Sequence, residues 1–307
     1  MGVALLSLSF AIFSVVRLVP GDPFQILFSG AAPGAGDAGF LQSLHNAAGL
    51  DRPLLVQYAG YLGQLLHGNL GVSLRSGEPV ILLIGRHLAP TLELAGAALI
   101  LSLGMGIFFG LALSLGRKRW WGELAGAAVS FAVALPSAGA GILLIYIFGL
   151  QLGWLPTFGW VAQGWSWPEA PRHLILPALT LSIHPGAVLA RLIESNLATV
   201  LEEDYVRTAY AKGVGLVRVL TRHALKNTAL PVVTFAALEF GTFAGGAVVV
   251  ETVFSWPGLG RLLVDAVANR DYALIQGATL FAGAAFLAIN FCADLMYLAL
   301  DPRLRYE

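Results

Sequence analysis

The stretch LAGAAVSFAVALPSAGAGILLIYIFGLQLGW, Leu124 to Trp154, contains no Asp, Glu, Lys or Arg. Crossing about 30 Å of hydrocarbon at about 1.5 Å per residue takes roughly 20 mostly apolar residues, so this run can span a bilayer with residues to spare. Its glycines and proline are no obstacle, because transmembrane helices tolerate both and glycine lets helices pack closely. The whole chain shares this character. Hydrophobic residues make up 57% of it and charged residues 12%, with a mean hydropathy of +0.75, against about a quarter charged in soluble domains.

Working outward, five further segments pass the same ruler. Upstream lie Thr91 to Leu115 and Gly2 to Val19, the latter uncharged until Arg17, which can snorkel from near the helix end. No basic residue precedes Gly2 to Val19 and no clear small-x-small site follows it, so it reads as a helix rather than a signal peptide. Downstream, Leu174 to Ala190 carries Pro177, His184 and Pro185, Asn227 to Val250 surrounds Glu239, and Ala273 to Leu300 is interrupted only by Asp294. The expected architecture is an all-α integral membrane protein of six transmembrane helices: helix one in residues 1–19, a long external loop region in 20–88, and a core in 89–307 with helices at about 91–115, 124–154, 174–190, 227–250 and 273–300. The external region opens Gly/Ala/Pro-rich, Ser29 to Gly39, and continues more regularly to Leu88. No internal repeat is visible, which argues against an inverted-repeat secondary transporter.

Lys and Arg concentrate in cytoplasmic loops. With the N-terminus inside, the inner side receives Arg117, Lys118, Arg119, Arg191, Arg207, Lys212, Arg218, Arg222, Lys226, Arg303 and Arg305. The outer side receives Arg52, Arg75, Arg86, Arg172, Arg261 and Arg270. Both termini are therefore expected inside. Trp154, Trp160, Trp165 and Trp167 crowd one outer connection, as interfacial aromatics do.

Several function classes fall away. Net charge is zero, so no basic field draws in nucleic acid. The single Cys292 supports neither a disulfide framework nor a Cys-based metal site, and lone His184 reads as a core histidine, leaving no metal site. Neither a nucleophile–base set nor a His-Glu-x-x-His helix is found. No Gly-x-x-x-x-Gly-Lys-Ser/Thr occurs, so the chain lacks the phosphate cradle for ATP.

The inner loop from Arg191 to Lys226 reads as a short helix, a bend and an amphipathic helix. Asp204 suits a helix N-terminus and Lys212-Gly213 a helix end. Beyond Gly213 and Gly215, apolar Leu216, Val217, Leu220 and Ala224 oppose Arg218, Arg222 and Lys226. On pattern alone, the plainer reading is a seal over the chain's own inner face.

Among intramembrane carboxylates, Glu93 and Asp294 read as interhelical or interfacial groups, while Glu239 and Glu251 are evenly divided between that role and a solute path. Ser255-Trp256-Pro257-Gly258 cannot continue a helix, and non-helical backbone near membrane depth is buried or lines water. Gly106/Gly110, Gly122/Gly126 and Gly241/Gly245 are small-residue faces for helix packing.

Asp204-Tyr205-Val206-Arg207-Thr208-Ala209-Tyr210-Ala211-Lys212-Gly213, followed by Arg222-His223-Ala224-Leu225-Lys226-Asn227, closely resembles the coupling loop of the dipeptide, oligopeptide, nickel and glutathione permease family of ABC importers. Pro20-Gly21-Asp22-Pro23, Gly49-Leu50-Asp51-Arg52-Pro53, Gln57-Tyr58, Gly68-Asn69-Leu70-Gly71 and Thr91-Leu92-Glu93-Leu94-Ala95 resemble that family's motifs in order. So do Val250 to Gly260, Asn269-Arg270-Asp271-Tyr272 and Asp301-Pro302-Arg303. The resemblance implies the first of two permease subunits, paired with a homologous second permease, two ABC ATPases that hold the ATP and Mg, and an external solute-binding protein. It implies membrane lipid as the surroundings and a bacterial or archaeal cytoplasmic (inner) membrane as the location.

It further implies that Asp204, Tyr205, Arg207, Thr208, Ala209, Ala211, Lys212 and Gly213 form the ATPase-coupling helix, and that Ser255, Trp256 and Pro257 belong to the outer mouth of a path on which Glu239 and Glu251 are candidates. The solutes implied are di- or oligopeptides, with nickel chelates and glutathione as alternatives. Two departures stand out. Arg207-Thr208-Ala209 occupies the place where importer permeases at large carry Glu-Ala-Ala. Met1-Gly2-Val3 lacks the basic residues with which the family begins, so a short inner extension is expected to be missing.

Overall fold

A computed structural model describes residues 2–18, 39, 42, 52–117, 119–159, 169–212, 225–245 and 247–300. The helices in chain order are α1 Gly2–Leu18, α2 Leu54–Leu66, α3 Val80–Leu115, α4 Trp120–Ala134, α5 Ser137–Leu144, α6 Glu169–Glu202, α7 Asp204–Ala211, α8 Leu225–Ala244, α9 Val248–Val253, α10 Leu259–Ala268 and α11 Tyr272–Leu300. A π-helical turn, Ile145–Gln151, extends α5. Among the described residues, extended pairing is confined to one bridge between Val72 and Pro79. The fold is all-α.

Among the described residues, three helices are long and apolar enough to cross a membrane: α3, the Pro171–Leu201 part of α6, and the Tyr272–Ala293 part of α11. The uncharged third segment passes only as a bent pair, and two shorter apolar helices, Gly2–Leu18 and Pro231–Ala244, stand at the first and fifth segments.

The bent pair departs from the straight span expected over Leu124 to Trp154. α4 and the Ser137–Gln151 helix meet at 111°. Leu135 is extended, and Pro136 caps α5 at φ −64 and ψ 138. Proline has no N–H to continue the ladder and disfavours the helical region in the residue before it, so an apolar pattern long enough for one helix makes two.

The second segment starts earlier than expected. α3 begins at Val80, not near Thr91, and keeps Pro90 inside it. Its first turns are held by packing: Val80 and Ile84 are buried with Leu259, Leu262 and Ala266 of α10 and Leu274 and Ala278 of α11. The fourth segment runs on past Ala190 to Glu202, so the first third of the presumed inner loop is helix. No Gly or Pro interrupts residues 187–212, and Leu189, Ile193 and Leu197 repeat every four residues into one buried cluster.

Among the described residues, α3 and α6 form the most extensive helix pair. Glycine sets their approach. A Cβ on Gly106 would lie 2.5 Å from the Leu189 side chain, and one on Gly110 would lie 2.8 Å from Ile193. Gly122 lies against the Gly116 backbone, and Gly241 against Ile289 and Asn290 of α11, so three of the small-residue faces meet a neighbour.

α2 crosses α1 through aromatic contacts of Tyr58 with Phe10 and Phe13. Arg17, expected to snorkel to the interface, lies 3.8 Å over the Phe13 ring and donates from Nε to Gln57 Oε1 at 2.7 Å. Pro20-Gly21-Asp22-Pro23, Trp160, Trp165, Trp167 and Asp301-Pro302-Arg303 lie outside the described residues.

Candidate functional site

Glu239, in the fifth segment, and Glu251, one residue past its end, have opposite surroundings. α8 ends at Ala244, and the chain restarts as the short α9 carrying Glu251, so the segment expected as one helix from Asn227 to Val250 is interrupted. Glu251 is 0% exposed. Thr91 Oγ1 donates to its Oε1 at 2.9 Å, and the Arg261 N–H donates to its Oε2 at 3.0 Å. The Leu259 N–H in turn donates to Thr91 Oγ1 at 2.8 Å. The carboxylate thus sits at the start of α10, where free N–H groups and the helix dipole favour an anion. Gly258 and Gly260 make room for it, since a Cβ on Gly258 would lie 2.2 Å from Glu251 Oε1.

The turn between α9 and α10 belongs to this knot. Ser255 holds a left-handed φ of 53. Trp256 is 2% exposed, and its Nε1 donates to the Pro90 carbonyl at 2.9 Å. Ser255 and Pro257 are half-buried. Glu251 and Trp256, both buried, therefore pin α9 and α10 to α3. Thr91 was noticed in the sequence only as the start of a helix, and the Pro90 carbonyl not at all. Below the knot, Asp271 accepts from Ser73 Oγ, from the Leu74 N–H and from the Leu274 N–H at the start of α11.

Glu239 lies on the other side of the break in the fifth segment. It borders a cavity of about 430 Å³ built on the α4–α5 bend, lined by Val133 to Ser137, by Leu181, His184 and Pro185 of α6, and by Thr242, Phe243 and Ala247. His184, expected in the core, is exposed on the cavity wall. Its Nδ1 donates to the Val133 carbonyl at 3.0 Å, in the last turn of α4, where carbonyls lack a following helical turn to pair with.

α7 follows α6 after Glu203 and is a separate short helix, as the pattern predicts. Thr208 Oγ1 donates to the Asp204 carbonyl at 2.9 Å, and the Lys212 N–H to the Thr208 carbonyl at 3.1 Å. Asp204, Thr208, Ala211 and Lys212 are exposed. Val206, which the sequence reading left unassigned, is 0% exposed and anchors the helix. α7 thus presents polar and small groups outward from a fixed base. Gly213 and the amphipathic piece around Leu216 to Ala224 lie outside the described residues.

Residues 102–306 match the model of the binding-protein-dependent transport system inner membrane component. This chain belongs to that family. It is 41% identical over 303 residues to the glutathione transport system permease protein GsiC of Salmonella typhimurium, covering 99% of this chain and 95% of the relative. The Escherichia coli protein of the same name is 40% identical over 299 residues, covering 97% and 94%. Among solved structures, the MetNI methionine ABC transporter in inward-facing conformations matches with a TM-score of 0.56 at 15% identity, over 72% of this chain and 97% of that one. At that identity the likeness is one of fold. As a member of the family, the chain is the multi-pass inner-membrane permease component of an ABC importer, a transport rather than catalytic part, working with a binding protein, a further permease and an ATPase.

Proposed function

We propose that this chain is one of two homologous permease subunits that, with two ATPases and an external binding protein, import a small peptide-type solute such as glutathione. Identity of 41% to a glutathione permease across almost the entire chain supports this reading. ATP and Mg are held by the partner ATPases, since this sequence carries no phosphate loop. Both termini and α7 face the cytoplasm, a reading that the Lys/Arg asymmetry supports. α7 docks into an ATPase groove through Asp204, Tyr205, Arg207, Thr208, Ala209, Ala211 and Lys212, with Gly213 ending the helix. Val206 is the inward anchor, so motion of α7 is handed to α6.

Reconstitution of the assembly in proteoliposomes tests the reading. Glutathione uptake and stimulated ATP turnover are expected only with all components present, and robust hydrolysis by this subunit alone would overturn it. Ala209→Trp and Gly213→Val should reduce ATPase pull-down or uncouple turnover from uptake at equal permease abundance. Normal association and uptake in both would return this loop to a seal.

A further inference from the structure

The cavity at the α4–α5 bend is bordered by the Glu239 carboxyl group, which no hydrogen bond ties into the fold among the described residues. A volume of about 430 Å³ falls within the roughly 300–1,000 Å³ of small-molecule sites. Its lining is mostly apolar, with four polar side chains: Glu239, His184, Ser137 and Thr242. All four offer acceptors. Among the described residues, the Glu239 carboxyl group makes no hydrogen bond, and its electrostatic neighbour is His184 on the same wall. His184 turns Nδ1 to the Val133 carbonyl, which leaves Nε2 of the neutral ring as an acceptor. Thr242 Oγ1 spends its hydrogen on the Leu238 carbonyl at 3.1 Å and keeps its lone pairs. A carboxylate within an apolar segment is costly and faces either the protein interior or a water-filled space, and here it faces the cavity.

Acceptors around one negative charge match a donor-rich cation. A divalent metal is a poor fit, because no group of three or more His, Cys, Asp or Glu is found among the described residues. A primary ammonium has three donors and no acceptor, and it suits one carboxylate flanked by an imidazole nitrogen and hydroxyl oxygens. We propose that this cavity holds the ammonium end of a peptide-like solute during passage, with Glu239 as counter-ion and His184 Nε2 as second acceptor. The solute class rests on the import reading above, whereas the site's charge preference does not.

The test uses the assembled transporter carrying Cys292→Ala, because Cys292 is free and exposed. Ser137→Cys places a thiol on the cavity wall, and Thr242→Cys provides a second position should the first fold poorly. Each is labelled with a cationic trimethylammonium-ethyl methanethiosulfonate and with an anionic sulfonatoethyl methanethiosulfonate, their rates scaled to those with free cysteine. The cationic reagent should be favoured by roughly 10-fold or more, and Glu239→Gln should abolish the preference. Alanyl-alanine should slow labelling, whereas its N-acetyl form should not. Failure of both thiols to react, an unchanged ratio in Glu239→Gln, or equal protection by the acetylated peptide would each overturn the proposal. Absent glutathione uptake by the unaltered transporter would count against the import reading alone, because labelling is read without transport.

Discussion

Glu251 and Glu239 are twelve positions apart on adjoining helices, yet one is saturated and the other open. Glu251 has both oxygens occupied, by Thr91 and by the N-terminal amide of Arg261 in α10. Glu239 fronts a cavity with an exposed histidine on the same wall. The same side chain therefore does two jobs, decided by what the adjoining backbone provides. Where a helix starts, free N–H groups convert a carboxylate into a structural tie. At the α4–α5 bend, the Glu239 carboxyl group is left beside a cavity without such donors.

The contrast makes stability the first way to break it. Glu251→Leu removes an acceptor from two buried donors, and loss of hydrogen bonds to a charged group costs roughly 3 kcal/mol or somewhat less. The purified protein should melt several degrees lower and accumulate poorly in membranes. Gly258→Ala should act in the same direction, because the new Cβ would lie within 2.2 Å of Glu251 Oε1, while the backbone, at φ −95, suits alanine. Unchanged melting in both variants would show that the knot does not hold α10. Thr91→Val added to Glu251→Leu should cost less than the sum of the two single changes, since both belong to one network.

A smaller effect is expected at Trp256. Trp256→Phe keeps an aromatic ring in the buried site and loses the bond from Nε1 to the Pro90 carbonyl, a loss of about 1 kcal/mol, readable as a modest fall in melting temperature. Ser255→Gly should move the other way. The left-handed backbone at Ser255 costs an L-residue about 1–2 kcal/mol, part of which glycine recovers, so melting should rise slightly; a fall would show that the Ser255 side chain matters more than its backbone. Smallest of all is Glu239→Gln, with an expected change within about 0.5 kcal/mol. A large destabilisation there would erase the distinction between the two carboxylates.

The sequence announced the turn at Ser255 to Gly258 more clearly than it announced the cavity. Ser255-Trp256-Pro257-Gly258 is marked by its own residues as non-helical, and the short helix beginning at Asp204 is marked by its acidic start. The knot needed Thr91, whose partners lie 160 and 168 positions away, and no local pattern encodes such a pairing. Pro90 misled in the opposite direction: a proline ordinarily suggests a boundary, but burial of Val80 and Ile84 against α10 and α11 carries the helix through it. Pro136 did break its helix, inside the longest uncharged run of the chain. Hydropathy measures length and polarity, and it is blind to direction, so a 111° bend leaves it unchanged. The cavity follows from that bend and was illegible for the same reason.

The lengths of α3 and α6 have a mechanical consequence. At about 1.5 Å per residue, helices of 36 and 34 residues are rods nearly twice as long as the hydrocarbon is thick. They are clamped together along Gly106 and Gly110, where the glycines leave no slack between the backbones. Pro177 and Pro185 lie in α6 before the clamp, so the length from Leu189 to Glu202 is the proline-free, stiffer arm. A tilt of that arm would turn about the clamp. Because α7 is joined to the end of α6 through Glu203 alone, on the coupling role proposed above a displacement of that short helix would act on this arm directly.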